Sequence, residues 1–227
     1  MQLRPYVLHM LRRASQTLRS SEACTHWLFG VNVTSRVHHD LWDATTIVLR
    51  TAIRQYVHDG SRVLELGTGH IGVLAVYCAS IAQSQVTAVD INQRFLENAA
   101  RVAQASGAHH IRFLRSDWFS DVSERFDVIF SNLPYVPTTA GEGRKDATAF
   151  REVWDGGEDG LMHARTILNQ AAGFLTDTGR LLLGLNTVYV PRNATLAVIE
   201  QAPGLELDTI VTSRWSPGEV YVLRLTT

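Results

Sequence analysis

Apolar positions along the 227-residue chain change their period repeatedly, from unbroken or alternating runs to every third or fourth residue. Short apolar runs at 62–66, 85–90, 110–115, 126–131, 180–185, 205–213 and 219–225 read as seven strands. Helical spacing recurs over 43–58, where Leu49, Ile53 and Val57 share a face, and over 70–82 and 92–105, the last stopped by Gly107. Leu161, Ala164, Leu168, Ala171 and Leu175 mark a further helical face up to Gly179, and Pro191 opens another helix. This alternation predicts an α/β fold, a mostly parallel sheet with helices on both faces, because parallel strands need crossover connections. The run at 180–185 is apolar after Arg180, as suits a central strand buried on both sides. The short link 214–218 suits a hairpin, so the last strand is expected to be antiparallel.

The flanks are less regular. Residues 2–20 form a basic helical stretch with Leu3, Val7, Leu11 and Leu18 roughly on one face, either docking a substrate or packing on the domain. Residues 25–38 read as irregular or hairpin. The expected organisation is therefore an N-terminal helical or hairpin extension over 1–60, then one domain over 61–227. A polar, glycine-bearing stretch from 136 to 160 is long enough to predict a lid or binding loop.

Composition narrows the function. Charged residues make up 19% of the chain and the formal net charge is −1, so no global basic excess argues for nucleic acid. No apolar run reaches membrane-spanning length. Cys24 and Cys78 have neither paired nor metal-like spacing, which suits free thiols in a reducing cytoplasm. His38-His39-Asp40 and His109-His110 lack helix-face spacing, and no metal is expected. The absence of a G-x-S-x-G elbow argues against a serine hydrolase.

The chemistry-bearing residues gather at strand ends. The strand at 62–66 runs into Gly67-Thr68-Gly69-His70-Ile71-Gly72, where glycine lets backbone approach a ligand and a helix N-terminus follows. Those glycines also satisfy the dinucleotide pattern G-x-G-x-x-G. Glu65 inside the strand suits a cationic amino-acid moiety better than a pyrophosphate. The next strand ends in Asp90, placed to accept from ribose hydroxyls, a feature that nicotinamide and S-adenosylmethionine sites share. The strand at 126–131 ends in Ser131-Asn132-Leu133-Pro134-Tyr135. Asn132 offers a side-chain carbonyl, the Leu133 carbonyl precedes a proline that holds it extended, and Tyr135 supplies an aromatic face. Two acceptors beside a flat face can orient a planar nitrogen; a strand running into a proline turn is the plainer reading.

In order, these residues resemble the class I S-adenosylmethionine-dependent methyltransferases, and within them the HemK-type glutamine N-methyltransferases that modify peptide-chain release factors. The resemblance runs from about Val63 to Gly184. It rests on Glu65-Leu66-Gly67-Thr68-Gly69, Asp90, Ser116-Asp117-Trp118-Phe119, the Asn132 signature and Gly156-Gly157-Glu158-Asp159-Gly160-Leu161. It implies a Rossmann-like, seven-stranded fold with S-adenosylmethionine as cofactor. Glu65, Gly67, Thr68 and Gly69 would hold its methionine end, Asp90 and Ile91 the ribose, and Asp117 and Trp118 the adenine. Asn132, Leu133, Pro134 and Tyr135 would receive the acceptor nitrogen. Leu133 stands where the family has its first proline, an arrangement common in enzymes that dimethylate ribosomal RNA adenines. A protein glutamine, a small amine or amide, and a nucleobase amino group therefore stay open as acceptors. A nicotinamide oxidoreductase and a catalytically silent subunit are the readings from other classes. Trp42 either shapes the substrate mouth or packs in the core, and His70 either touches the ligand or serves as a capping or solvent-facing residue.

Overall fold

The computed structural model describes residues 16–34, 41–142 and 151–226. The basic stretch at 2–20 lies outside them except for its end, and His38-His39-Asp40 lies outside them entirely. The seven strands form one sheet: β1 Arg62–Leu66, β2 Gln85–Asp90, β3 Arg112–Arg115, β4 Phe126–Asn132, β5 Leu175–Asn186, β6 Leu205–Ser213 and β7 Ser216–Leu225. Their order is β3-β2-β1-β4-β5-β7-β6. β1 to β5 are parallel, while β7 inserts antiparallel between β5 and β6. The chain reverses direction across the sheet between β1 and β4, and in open α/β sheets the crevice beyond that switch point holds the ligand.

Strand alternation divides the core into two layers. Val63, Val128, Phe130, Leu182, Val220 and Val222 face one side, against the helices α1 Glu22–Phe29, α2 Ala44–Tyr56, α3 Val73–Ile81 and α4 Gln93–Ala105. Leu64, Leu66, Ile129, Leu181, Leu183 and Leu223 face the other, against the helices Met162–Leu168 and Arg192–Ile199. The helices before residue 60 thus share the first layer: Phe29, Val48, Leu49 and Ile53 are buried in it. Two glycines let α2 come close. A Cβ on Gly184 would lie 2.7 Å from Leu49 Cδ1, and one on Gly218 would lie 2.7 Å from the Thr45 Cα. These glycines, on paired strands β5 and β7, seat the start of α2 beside the end of β4.

Several local expectations change in the structure. Where an irregular or hairpin stretch was expected over 25–38, Glu22–Phe29 is a helix: Ser21 Oγ accepts from Cys24 N at 3.2 Å, and Gly30 closes it at φ 72°. Its buried residues are Thr25 and Phe29, too few to give an apolar stripe, so capping carried the signal that periodicity lacked. The helix expected up to Gly179 ends at Leu168, passes into a 3₁₀ turn at Ala171–Phe174 and gives way to strand at Leu175. Leu175 pairs with Phe126 and the register then shifts, so sheet pairing overrides helical spacing there. Finally, the 136–160 stretch contains the short helices Thr138–Glu142 and Arg151–Trp154. The helix expected from residue 70 begins at Val73, because Gly72 is left-handed at φ 61°. Among the described residues no helix is long and apolar enough to cross a membrane.

Candidate active site

The end of β1 is clamped to its neighbours. Gly67 N and Thr68 N both donate to Val89 O at 2.9 Å, and Ser131 Oγ donates to Leu66 O at 2.7 Å. Gly67 and Gly69 hold φ values of 71° and 66°, a left-handed turn that L side chains adopt only with strain. Beneath the turn Glu65 is buried, and Thr68 Oγ1 donates to its Oε2 at 2.5 Å. Burial pushes the Glu65 carboxyl up to about 8, with Asp90 adding repulsion and Thr68 opposing the shift. A cation placed at this turn would favour the ionised form. Asp90 is also raised, chiefly by burial. Its Oδ2 accepts from Gly69 N and its Oδ1 from Asn92 N, both at 2.9 Å. The carboxylate keeps lone-pair capacity for a ligand. Ile91 is exposed just beyond.

The opposite wall comes from the β3–β4 connection. Trp118 has φ 51°, a strained conformation for a bulky residue. Ser116 holds it there, since its Oγ donates to Trp118 O at 2.9 Å and accepts from Asp121 N at 3.1 Å. The indole consequently lies against Gly67, 3.7 Å from where a Cβ would stand, with His163 5.2 Å away ring to ring. Burial lowers the His163 pKa, which favours a neutral imidazole. Asp117, next to Trp118, is exposed.

Asn132 ends β4 on the face that carries α2. Its Nδ2 donates to Asp43 Oδ1 at 3.2 Å and to Thr46 Oγ1 at 3.3 Å. Its Oδ1 is buried and, among the described residues, has no hydrogen-bond partner. An unpaired buried carbonyl costs about 1–3 kcal/mol, a penalty that a donor N–H placed against it would relieve. Leu133 and Tyr135 are buried, whereas Pro134 is half-buried. The Tyr135 hydroxyl donates to Asp43 Oδ2 and lies 3.2 Å from Thr45 Oγ1. Burial, then the Asp43 charge, push the Tyr135 pKa well up, so it stays a neutral donor. Where Tyr135 was expected to present a face to a flat group, its hydroxyl is anchored inward and its ring is tilted against Tyr189 at 5.9 Å.

The Gly156–Leu161 segment buttresses this signature. Val136 N donates to Trp154 O and Gly156 N to Val136 O, at 2.9 and 2.8 Å. A Cβ on Gly160 would lie 2.4 Å from Tyr135 O. From the short helix Arg151–Trp154 just before this segment, Glu152 reaches back toward β2, accepting from Asn92 Nδ2 at 3.3 Å. Two weaker candidates point elsewhere. Trp42 Nε1 donates to Thr25 Oγ1 at 3.1 Å and its ring packs on Phe29, so it ties α1 to α2. The His70 ring packs on Phe95, and its carbonyl accepts from Asn98 Nδ2 at 2.6 Å. Among the described residues no three His, Cys, Asp or Glu side chains gather as a metal site.

Sequence reasoning missed Asp43. Its signal was the capping box, in which Asp43 Oδ1 accepts from Thr46 N while Thr46 Oγ1 accepts from Asp43 N. That pattern announces a helix start and says nothing of Asn132.

The chain matches the methyltransferase small domain family over residues 32–149. It is similar to the release factor glutamine methyltransferase of Xylella fastidiosa, 31% identical over 201 residues, covering 85% of this chain and 73% of that protein. The corresponding Francisella tularensis enzyme is 35% identical over 118 residues, covering 50% of this chain and 41% of its own. The chain spans about half the length of several curated relatives that it matches, among them the Deinococcus radiodurans enzyme at 52%. A crystal structure of a methyltransferase from Pyrococcus furiosus has the same fold, with TM-score 0.68 over 96% of this chain and 98% of that one, at 18% identity.

Proposed function

The chain belongs to the methyltransferase small domain family, and from that membership we propose that it is an S-adenosylmethionine-dependent N-methyltransferase acting on a planar nitrogen, a protein glutamine amide first. The observation that carries this reading is Asn132 Oδ1, a buried acceptor to which nothing donates among the described residues. An amide N–H set against it would be oriented, and its developing positive charge stabilised, as the methyl group arrives in line. The glutamine relatives and the Gly156–Leu161 string support the amide as acceptor.

The residues of the β1 and β2 ends fit the donor. Glu65 and the Gly67–Gly69 turn would take its amino-acid end, Asp90 and Ile91 the ribose, and Asp117 and Trp118 the adenine. When bound, the cofactor supplies an electrophilic methyl on a positively charged sulfur. The protein contributes orientation, through Asn132 and the Leu133 carbonyl.

Two measurements test the reading. Calorimetry is expected to find S-adenosylhomocysteine binding and no comparable binding of NAD; the reverse would overturn the cofactor. With radiolabelled donor and a lysate, label is expected in protein, and Asn132→Ala is expected to lower turnover by roughly a hundred- to a thousand-fold with donor affinity retained. Label chiefly in nucleic acid would overturn the acceptor class.

A further inference from the structure

The Asn132 carboxamide has two ends of nearly equal shape, so its neighbours decide which end faces the site. On one side stand two acceptors. Asp43 Oδ1 lies 3.2 Å from Asn132 Nδ2, and an ionised carboxylate can only accept. Thr46 Oγ1 lies 3.3 Å from the same nitrogen. Its hydroxyl hydrogen is already committed to Asp43 Oδ1 at 2.7 Å, so toward Asn132 it too offers a lone pair. Turning the amide over would bring its carbonyl against two acceptors and its NH2 into the cleft. The carboxylate itself is held from three directions, by Thr46 N at 2.8 Å, by Thr46 Oγ1 and by the Tyr135 hydroxyl.

We infer that Asp43 is a positioning residue: through Thr46 and directly, it sets the polarity of the Asn132 amide so that its carbonyl faces the acceptor nitrogen. The inference rests on the proposed role of Asn132 in N-methyl transfer. It also explains why the buried Asn132 Oδ1 is unpaired among the described residues: the one orientation that satisfies the NH2 leaves the carbonyl for another donor. The same carboxylate holds Tyr135, so one side chain on α2 fixes both ends of the Asn132–Tyr135 turn.

The capping role of Asp43 has to be separated from the positioning role, and two substitutions do so. Asp43→Ser keeps a helix cap of comparable quality yet is too short to reach Asn132 or Tyr135. It is expected to fold, to bind S-adenosylhomocysteine within threefold of wild type, and to lose about ten- to a hundred-fold in kcat at unchanged donor KM. Asp43→Asn can keep its carbonyl toward Thr46 and Asn132 and turn its NH2 to the Tyr135 oxygen. It is expected to recover most of that loss. A second readout needs no acceptor: the Asn132 side-chain amide protons, assigned by their disappearance in Asn132→Ala, should be dispersed and slow to exchange in wild type and Asp43→Asn. In Asp43→Ser they should move toward free-amide values. Equal kcat loss in the two variants, full activity in Asp43→Ser, or unchanged amide signals in Asp43→Ser would each overturn the inference. A wild type that methylates nothing would strike down the proposed function instead, and the amide signals would still decide the polarity.

Discussion

Gly160→Ala should be among the most damaging single-methyl additions to this fold, and the geometry gives the size. Gly160 sits at φ 78°, and an added Cβ would stand 2.4 Å from Tyr135 O and 2.7 Å from Val190 Cγ2. The left-handed backbone costs an alanine about 1–2 kcal/mol. Relieving a contact with backbone in a packed site adds about 1–3 kcal/mol, because the carbonyl cannot rotate away as a flexible side chain would. The sum is about 2–5 kcal/mol, or roughly 5–20 °C in Tm for a domain of this size. Gly60→Ala is the internal control: φ is 82° and nothing lies within 4 Å of the new Cβ, so only the backbone component applies. Thermal unfolding followed by near-UV circular dichroism would compare the two. Since the displaced carbonyl belongs to Tyr135, turnover in Gly160→Ala should also fall more than S-adenosylhomocysteine affinity. Equal Tm losses in the two variants would refute the claim that the Gly156–Leu161 segment buttresses the signature by close backbone contact.

Two further outcomes follow from the same geometry. The Glu65 carboxyl is raised from its ordinary 4.5 to about 8, so between those values the folded state binds more protons than the unfolded one and stability falls as pH rises. The Tm of wild type relative to Glu65→Gln should therefore decline from about pH 5 to about pH 8 and level off above; saturating S-adenosylhomocysteine, whose ammonium group favours ionised Glu65, should flatten the trend, and a pH-independent difference would refute the assignment. Gly184→Val would drive side-chain carbon into Leu49 and Thr45, displacing the start of α2 from β4, so kcat should fall at least tenfold while the donor KM holds; unchanged kcat with a lowered Tm would show that the α2 contact is structural alone.

The sequence by itself determined the succession of seven strands along the chain, the class of the fold and the turn at the end of β1. Those features are written locally: Arg62–Leu66 and Phe126–Asn132 are apolar runs that can only be buried strands, and Gly67 and Gly69 mark a turn that side chains would strain. It also named Glu65, Asp90 and Asn132, because each stands at or near a strand end and parallel topology brings such ends together, whereas Trp118 was reached through the resemblance to the methyltransferases. Tertiary structure decided the rest. Asp43 and Asn132 are 89 positions apart and meet because Gly184 and Gly218, two small residues on neighbouring strands, let α2 settle against the sheet. No periodicity encodes that approach. Leu175 likewise carries helical spacing but pairs with Phe126, since a backbone pairing across the sheet outweighs a weak local preference. Which way the Asn132 amide faces depends on the hydrogen of Thr46 and the charge of Asp43, neighbours that exist only once the helix is seated.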